Sequence, residues 1–134
     1  MPSMVICDTH VLIFDALSPD RLSMVARQAI EAGAQQRELA CSDITLWEIA
    51  MLIAKGRIDP GIAPTQFISD LVLSRYVKVL PITPEIAVLS QTHSALDHGD
   101  PADRLIAATV LHHRVTLITA DSRLREMGVL DTLW

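Results

Sequence analysis

The sequence has few of the residues on which several common classes of protein depend. Its 134 residues include two cysteines, five glycines, two Trp, one Tyr and two Phe. Two cysteines allow one disulfide at most, and no Cys or His spacing matches a zinc site. The glycines are too scattered to form a phosphate-binding loop. Charged residues interrupt the longest apolar stretches, which excludes a membrane span of about 20 apolar residues.

Basic residues are also few. There are 11 of them against 16 acidic residues, giving a net charge of −5, which argues against binding of nucleic acid through a broad basic surface. The N-terminus lacks the basic and long apolar regions of a signal peptide, so we expect a cytoplasmic protein. Cys7 and Cys41 lie in apolar runs and are expected to be buried free thiols.

Short apolar runs alternate with amphipathic stretches along the chain, a pattern typical of an α/β fold with a parallel sheet. The length fits one domain over residues 1–134. The first predicted strand is brief and apolar, as in a central strand, whereas Pro81 near the end of the third favours an edge position. The apolar tail at 129–134 is expected to pack against the rest of the chain. The predicted strands are residues 4–7, 38–41, 77–82 and 115–119.

Helix signals lie between and after these strands. Ser18 before Pro19 and Asp20 has the form of a helix start, and Gly33 has the form of a helix end. A loop is expected at residues 97–99. Helices are predicted over residues 19–33, 43–55, 64–73, 84–94, 100–113 and 122–127.

Two of the predicted strands are followed by an aspartate. Asp8 follows the first strand directly, and Asp121 lies two residues beyond the last. Ligands of open parallel sheets bind beyond the carboxyl ends of the strands, so neighbouring strands would place both carboxylates at one edge. Each aspartate can equally be the N-cap of the helix that follows, because Asp is a favoured N-cap.

Glu48 is the only charged residue between Asp43 and Lys55. Ile44 and Leu52 lie four residues to either side, so the helix face that carries Glu48 is apolar. A buried carboxylate without a partner costs several kcal/mol or takes up a proton. Glu48 therefore needs a partner, which is either a structural Arg or Lys or a cation shared with other acids.

Two further acids open a predicted helix. Asp100 before Pro101, with Asp103 three residues later, is close to a capping box, which favours a capping role for Asp100. Asp103 precedes Ala107 and Val110 on one helix face. It can therefore point from the first helical turn toward the edge of the sheet.

Taken together, these acids indicate more about function than each does alone. Crowded carboxylates repel one another unless a divalent cation lies among them. All-oxygen ligands suit hard ions, so Mg²⁺ or Mn²⁺ is expected rather than zinc. Such a centre suits phosphodiester hydrolysis, because the metal acidifies a water and stabilises charge on the scissile phosphate. The acids at strand ends or on apolar helix faces are Asp8, Glu48, Asp103 and Asp121.

Several polar neighbours of the acids have two interpretations. Arg104 can contact substrate phosphate, pair with Asp100 or be solvated. Arg123 and Arg125 can form a basic rim, and a structural role is expected for His10. Hydroxyls beside the acids can hold a water or a phosphate oxygen, although hydroxyls at helix starts more often act as caps. The hydroxyls belong to Thr9, Ser42, Thr119 and Ser122.

Four segments together resemble a PIN-domain ribonuclease, and more narrowly the VapC kind of toxin from bacterial toxin–antitoxin pairs. Their order and spacing are specific, and the resemblance covers essentially the whole chain. Ala102 stands where the family often has Phe, a departure that touches no acidic position. The segments are Val-Ile-Cys-Asp8-Thr-His, Ser42-Asp-Ile-Thr-Leu-Trp-Glu48-Ile-Ala, His98-Gly-Asp100-Pro-Ala-Asp103-Arg-Leu-Ile-Ala-Ala-Thr and Leu117-Ile-Thr-Ala-Asp121.

The resemblance implies a three-layer α/β/α domain around a short parallel sheet, with Mg²⁺- or Mn²⁺-dependent endonuclease activity on RNA. Proteins of this kind commonly form homodimers, and a cognate antitoxin silences them by packing on an apolar groove and blocking the acidic site. Asp100 matches a further acid that is common in this subgroup. The family's metal-binding and catalytic acids fall on Asp8, Glu48, Asp103 and Asp121.

Two other interpretations stay open at this point. In the first, the chain is a non-catalytic α/β protein-binding domain with a vestigial acidic site, and titration with Mn²⁺ separates it from the nuclease. The second is another phosphoryl-transfer enzyme, such as an Asp-nucleophile phosphatase or a receiver domain. The segment Asp8-Thr9-His10 lacks the second acid of the phosphatase pattern. The adjacent acids and late lysine of a receiver domain are also absent from the sequence.

Overall fold

The computed structural model describes residues 4–96 and 99–134, which fold around a sheet of five short strands. The strands are hydrogen-bonded in the order β3-β2-β1-β4-β5, and every neighbouring pair is parallel. This is the parallel α/β arrangement that the alternating pattern predicts. The strands are β1 (Val5–Cys7), β2 (Leu39–Ser42), β3 (Lys78–Leu80), β4 (Thr116–Ile118) and β5 (Asp131–Leu133).

Helices pack on both faces of the sheet and give the chain three layers. Helices α1 to α4 share one hydrophobic core with the sheet, and α5 to α7 share a second core on its opposite face. No helix in the described ranges is long and apolar enough to cross a membrane. The helices are α1 (Thr9–Leu17), α2 (Met24–Gln36), α3 (Ile44–Ala54), α4 (Pro64–Ser74), α5 (Pro84–Thr92), α6 (Pro101–His113) and α7 (Ser122–Arg125).

Alternate residues of each strand supply the two cores, as the two-residue period of a strand requires. Cys7 and Cys41 belong to the core under α1 to α4, whereas Ile6 and Ala40 belong to the core under α5 to α7. All four are fully buried, which explains why these strands appear as continuous apolar runs. Both cysteines are free, as expected. Burial raises the pKa of the Cys41 thiol to about 12, so this thiol stays protonated at neutral pH.

The strand order places a crevice at one edge of the sheet. From β1 the chain moves outward to β2 and β3, and then returns to the other side of β1 to form β4 and β5. The direction of winding therefore reverses between β1 and β4. Ligands of open parallel sheets bind at such a reversal, beyond the carboxyl ends of the strands. Asp8 and Asp121 follow these two strands.

The places of two strands in the sheet agree with the prediction, and a fifth strand is present that was not predicted. β1 is central and β3 lies at an edge, as predicted. The tail packs against the rest of the chain, as expected, but it does so as strand β5, which the sequence did not predict. β5 extends the sheet beyond β4, and the Thr119 amide donates to the Leu133 carbonyl at 3.2 Å.

The predicted helix start at Pro19 is wrong. Residues Pro19–Arg21 form a single 3₁₀ turn, and α2 begins only at Met24. The reason is a better cap five residues after Ser18, because the Ser23 hydroxyl accepts a hydrogen bond from the Ala26 amide at 3.0 Å.

The remaining differences lie in connections between strands. Helix α1 was not predicted, because Val11, Leu12 and Ile13 are buried in succession and show no helical spacing. The helix predicted over 84–94 ends at Thr92 and is followed by a 3₁₀ turn at Ser94–Leu96. Residues 97 and 98 of the expected loop at 97–99 lie outside the described residues.

Gly33 lies inside α2, which continues to Gln36, so the predicted helix end at Gly33 is also wrong. The glycine is needed because α2 closely approaches β2. A Cβ at position 33 would lie 2.5 Å from Leu39 Cδ2 and 2.9 Å from Leu39 Cγ. Leu39 is buried in the core, so its side chain has little room to move away.

Gly33→Ala is therefore expected to lower the free energy of unfolding by about 1–3 kcal/mol, the usual cost of overpacking a core. The loss occurs although alanine favours a helix over glycine by roughly 1 kcal/mol. Urea denaturation followed by circular dichroism measures it. In a Leu39→Ala background the added methyl group has room, and Gly33→Ala should be neutral or stabilising there. Equal destabilisation in both backgrounds would show that Leu39 is not the cause.

Candidate functional site

A cleft of about 310 Å³ opens at the carboxyl ends of β1 and β4. The structure brings every acid singled out in the sequence to this cleft, although they come from distant parts of the chain. Arg123 is the only Lys or Arg among the described lining residues. The cleft is lined by Asp8, His10, Phe14, Glu48, Asp100, Asp103, Ala120, Asp121 and Arg123.

Three carboxylates approach one another most closely. One oxygen each of Glu48, Asp100 and Asp103 lies within 4.8 Å of the other two. These three side chains are close enough together that they could hold one metal ion. Asp8 and Asp121 line the same cleft but do not belong to this group of three.

Asp8 directly follows β1 and caps α1. Its Oδ1 accepts a hydrogen bond from the Thr9 amide at 2.8 Å, and its Oδ2 accepts one from the Thr119 hydroxyl at 2.7 Å. Asp8 is only 6% exposed. Burial raises the pKa of Asp8, and the hydrogen bonds from Thr119 and Thr9 act against this shift. Asp8 therefore caps α1 through Oδ1, as the capping interpretation predicts. Its Oδ2 is bound by Thr119, and the carboxylate lines the cleft.

Glu48 is buried on α3, where its carboxylate accepts a hydrogen bond from a hydroxyl group. The Thr9 hydroxyl donates to Glu48 Oε1 at 2.5 Å and lies 3.0 Å from the Thr45 hydroxyl. Within residues 4–96 and 99–134, no Arg or Lys forms an ion pair with Glu48. The structural Arg or Lys considered from the sequence is therefore not its partner in this part of the chain. Burial raises the pKa of Glu48, and the nearby negative charges of Asp8 and Asp100 raise it further.

Asp103 and Asp121 both pair with the guanidinium group of Arg123, but their pKa values shift in opposite directions. Arg123 Nη2 lies 3.2 Å from Asp121 Oδ2 and 3.5 Å from Asp103 Oδ2. Partial burial favours a higher pKa for Asp121, but the hydrogen bonds from Arg123 outweigh it and lower the pKa. Burial, followed by the negative charges of Asp8, Asp100 and other acids of the cleft, raises the pKa of Asp103 to about 7. The cleft therefore holds more negative charge than its own groups neutralise.

Asp100 caps a helix, as its place before Pro101 favours. It is the N-cap of α6, and its Oδ1 accepts a hydrogen bond from the Ala102 amide at 2.7 Å. The same carboxylate is one of the three that lie close enough to share a cation.

The hydroxyl groups near the acids divide into two kinds. Ser42 lies one residue before the N-cap of α3, and its hydroxyl accepts a hydrogen bond from the Ile44 amide at 3.2 Å. Thr9 and Thr119 instead hold acids, because the Thr9 hydroxyl donates to Glu48 and the Thr119 hydroxyl donates to Asp8. The Thr119 hydroxyl also accepts a hydrogen bond from the Asp121 amide at 3.0 Å. Thr45 was missed in the sequence, although it lies three residues before Glu48 and thus on the same helix face.

Of the three arginines that lie near the acids in the sequence, Arg123 reaches the cleft as expected, whereas Arg104 and Arg125 do not line it. Arg104 donates hydrogen bonds to the Ser90 carbonyl on α5 at 3.1 Å and 3.2 Å and to Gln91 Oε1 at 3.3 Å. It therefore neither lines the cleft nor pairs with Asp100. Arg123 is at the cleft and Arg125 is not among its lining residues. His10 is exposed, lines the cleft and lies 6.1 Å from the Phe14 ring.

Comparison with known proteins gives consistent results. Residues 5–130 match the family model described as the PIN domain. The chain is 39% identical over 121 residues to a protein named Ribonuclease VapC22 from Mycobacterium tuberculosis, a match that covers 90% of this chain and 89% of that protein.

Solved structures with the same fold include two toxin–antitoxin assemblies. VapBC2 from Rickettsia felis, bound to a DNA fragment from its promoter, matches with a TM-score of 0.69 and 18% identity over 96% of each chain. A toxin–antitoxin complex from Klebsiella pneumoniae matches with a TM-score of 0.59 and 27% identity, covering 88% of this chain and 87% of that one. On the family match, the identity to the mycobacterial relative and the three-layer fold, the chain belongs to the PIN-domain family.

Proposed function

We propose that this chain is a divalent-metal-dependent endoribonuclease that hydrolyses RNA phosphodiester bonds as the toxin of a toxin–antitoxin pair. The observation that carries the proposal is the meeting of five carboxylates in one cleft with a single arginine. The 39% identical relative is named a ribonuclease, which supports RNA as the substrate. Residues 1–134 are proposed to form one nuclease domain that acts in the cytoplasm.

The donor set of the cleft fits a hard divalent ion, Mg²⁺ or Mn²⁺. Glu48, Asp100 and Asp103 would hold it, because they offer oxygen ligands only and lie close together. When bound, the ion acidifies a water and stabilises negative charge on the phosphate.

The other residues of the cleft are proposed to orient the reacting groups. Asp8 is held by two hydrogen bonds, so it presents a carboxylate of fixed direction that can accept a proton of the attacking water. Asp121 holds Arg123 at the mouth of the cleft. The Arg123 side chain is 70% exposed, and its guanidinium group is suited to bind a phosphate oxygen of the RNA.

A cognate antitoxin is the proposed protein partner, and a groove beside the cleft is the proposed surface for it. The groove has a volume of about 590 Å³ and shares His10 and Phe14 with the cleft. A peptide bound there would extend into the acidic site and block it. The likeness to the Klebsiella toxin–antitoxin complex supports this partner. The apolar lining residues of the groove are Ile13, Phe14, Leu17, Leu52 and Ile58.

We also propose a homodimer. Trp47 on α3 is 58% exposed, and because Trp is enriched at protein interfaces we propose that it lies in the dimer contact. Analytical ultracentrifugation of the chain and of Trp47→Ala tests this, and a wild-type monomer at micromolar concentration would contradict it.

Asp8→Asn and Asp121→Asn should each lower the rate of RNA cleavage at least roughly 100-fold, because each removes a charge that orients the reacting groups. Cleavage of a labelled oligoribonucleotide in Mg²⁺ or Mn²⁺, and in EDTA, measures the rate. EDTA should abolish cleavage by the wild-type chain. The matched control is Asp20→Asn, which changes an exposed acid outside the cleft. Equal cleavage by all variants would identify a contaminating nuclease and contradict the proposal.

Asp103→Asn should stabilise the metal-free protein at pH 8 by about 1 kcal/mol, with allowance for solvent screening. The pKa of Asp103 is about 7 in the folded chain and roughly 3.9 in an unfolded chain. Between these values the folded state binds more protons, so the wild type loses stability as the pH rises from about 4 to 7. The gain from Asp103→Asn is therefore complete above pH 7 and absent near pH 4.

Urea denaturation in EDTA at both pH values measures this difference, again with Asp20→Asn as the control. Addition of Mn²⁺ should stabilise the wild type more than Asp103→Asn. A variant that is less stable than the wild type at pH 8 in EDTA would show that burial and the neighbouring charges do not destabilise the ionised Asp103 carboxylate.

Thr119→Val should weaken Mn²⁺ binding or slow cleavage by roughly 10- to 100-fold, because the hydroxyl that holds Asp8 is lost. Thr116→Val is the matched control. It makes the same change on β4, but its hydroxyl donates to Asp131, outside the cleft. Thr119→Ser keeps the hydroxyl and should restore activity. If Thr119→Ser is as impaired as Thr119→Val, the role of Thr119 is packing rather than positioning of Asp8.

A further inference from the structure

A second cavity, of about 380 Å³, lies beside the acidic cleft. Asp103 and Arg123 line both cavities, so a molecule that fills the second one also borders the first. We call this cavity the Leu124 pocket, after the buried residue among those that line it. It is lined by Ala95, Gly99, Asp103, Arg123, Leu124, Glu126 and Met127.

We propose that the Leu124 pocket binds a guanine base of the substrate, in a nucleotide next to the scissile phosphate. The proposal rests on the ribonuclease function proposed above, and it names the feature of RNA that the site selects. Proteins read single-stranded RNA by inserting unstacked bases into pockets where they meet apolar or planar groups and hydrogen-bonding partners.

The lining of the Leu124 pocket has an apolar part that suits the face of a base. Leu124 is buried, and Ala95 and Met127 are half-buried, so these three side chains present apolar surface to the cavity. Arg123 lies at the boundary with the cleft and carries a planar guanidinium group, which can stack on a base or bind the adjoining phosphate. One nucleotide can therefore place its phosphate in the cleft and its base in the pocket.

The charged residues of the pocket favour guanine over the other bases. Glu126 is exposed at the pocket, and its carboxylate only accepts hydrogen bonds. Guanine offers two adjacent donors, N1–H and the 2-amino group, which match the two oxygens of a carboxylate. Adenine and cytosine each present one donor beside an acceptor, and uracil presents one donor between two carbonyl groups. Glu126 also repels phosphate, so the base edge rather than the backbone should meet it.

The test compares cleavage of short oligoribonucleotides that differ only at the two nucleotides flanking a single cut. Each flanking position carries guanine, adenine, cytosine, uracil or inosine in turn, and kcat/KM is measured in Mg²⁺. Guanine at one of the two positions should be preferred by about tenfold, as for other paired hydrogen bonds to a base. Inosine lacks the 2-amino group and should lose most of that preference.

Glu126→Gln replaces one acceptor oxygen by a donor and should bring the ratio between guanine and the other bases close to one. Glu85→Gln is the matched control, because Glu85 is an exposed acid on α5 that lines neither cavity; it should keep both the ratio and the rate. Ala95→Leu partly fills the pocket and should also reduce the ratio.

The outcomes separate the two proposals. Metal-dependent cleavage without any preference for guanine would overturn the pocket proposal and leave the ribonuclease proposal intact. A guanine preference that Glu126→Gln does not change would also overturn it, because the recognising group would then lie elsewhere. Failure of the wild-type chain to cleave any oligoribonucleotide in Mg²⁺ or Mn²⁺ would overturn the ribonuclease proposal, and the guanine site would fall with it.

Discussion

Mutual repulsion among the carboxylates of the cleft is the constraint on which the rest of the site depends. Among the described residues, the side chains that hydrogen-bond or pair with these acids are few: the hydroxyls of Thr9 and Thr119 and the guanidinium of Arg123. Helix caps account for one oxygen each of Asp8, Asp100 and Asp121. These contacts fix the directions of the acids without removing their charge. The free energy lost in holding them together is what a cation can recover on binding.

The sheet explains why such different segments meet. Reversal of the winding direction between β1 and β4 puts Asp8 beside the turn that carries Asp121. Helices from opposite faces of the sheet then complete the cleft, since α3 belongs to one layer and α6 to the other. Glu48 thus approaches from one side and Asp103 from the other. The site is a product of the three-layer arrangement and is not present in any one element.

The sequence predicts most of this arrangement because its strongest signals are local. Strand ends marked by aspartate, an acid alone on an apolar helix face, and a proline at a helix start each have a physical reason that needs no tertiary information. They predict the parallel sheet, the central place of β1 and the acids that line the cleft. The roles of those acids in binding metal and in catalysis stay predictions.

What the sequence could not predict depends on contacts between distant residues. Helix α1 is buried on too many sides to show a helical period, and β5 is too short to differ from an apolar tail. Gly33 has the form of a helix end, and only the approach of Leu39 shows why it lies within α2. Arg104 and Arg123 both lie beside acids in the sequence, yet Arg104 packs on α5 and Arg123 reaches the cleft. The pairing of Thr9 with Glu48 likewise appears only when α1 and α3 are packed together.

The burial of both cysteines has a practical consequence for work on this chain. Cys7 and Cys41 have no contact with solvent, and burial raises the pKa of each thiol. Because alkylating reagents react with thiolates, a cysteine introduced at the surface would be the preferred site of labelling in the folded protein. A fluorophore or spin label can then be attached beside either cavity without replacing the native thiols, and ligand binding can be followed directly.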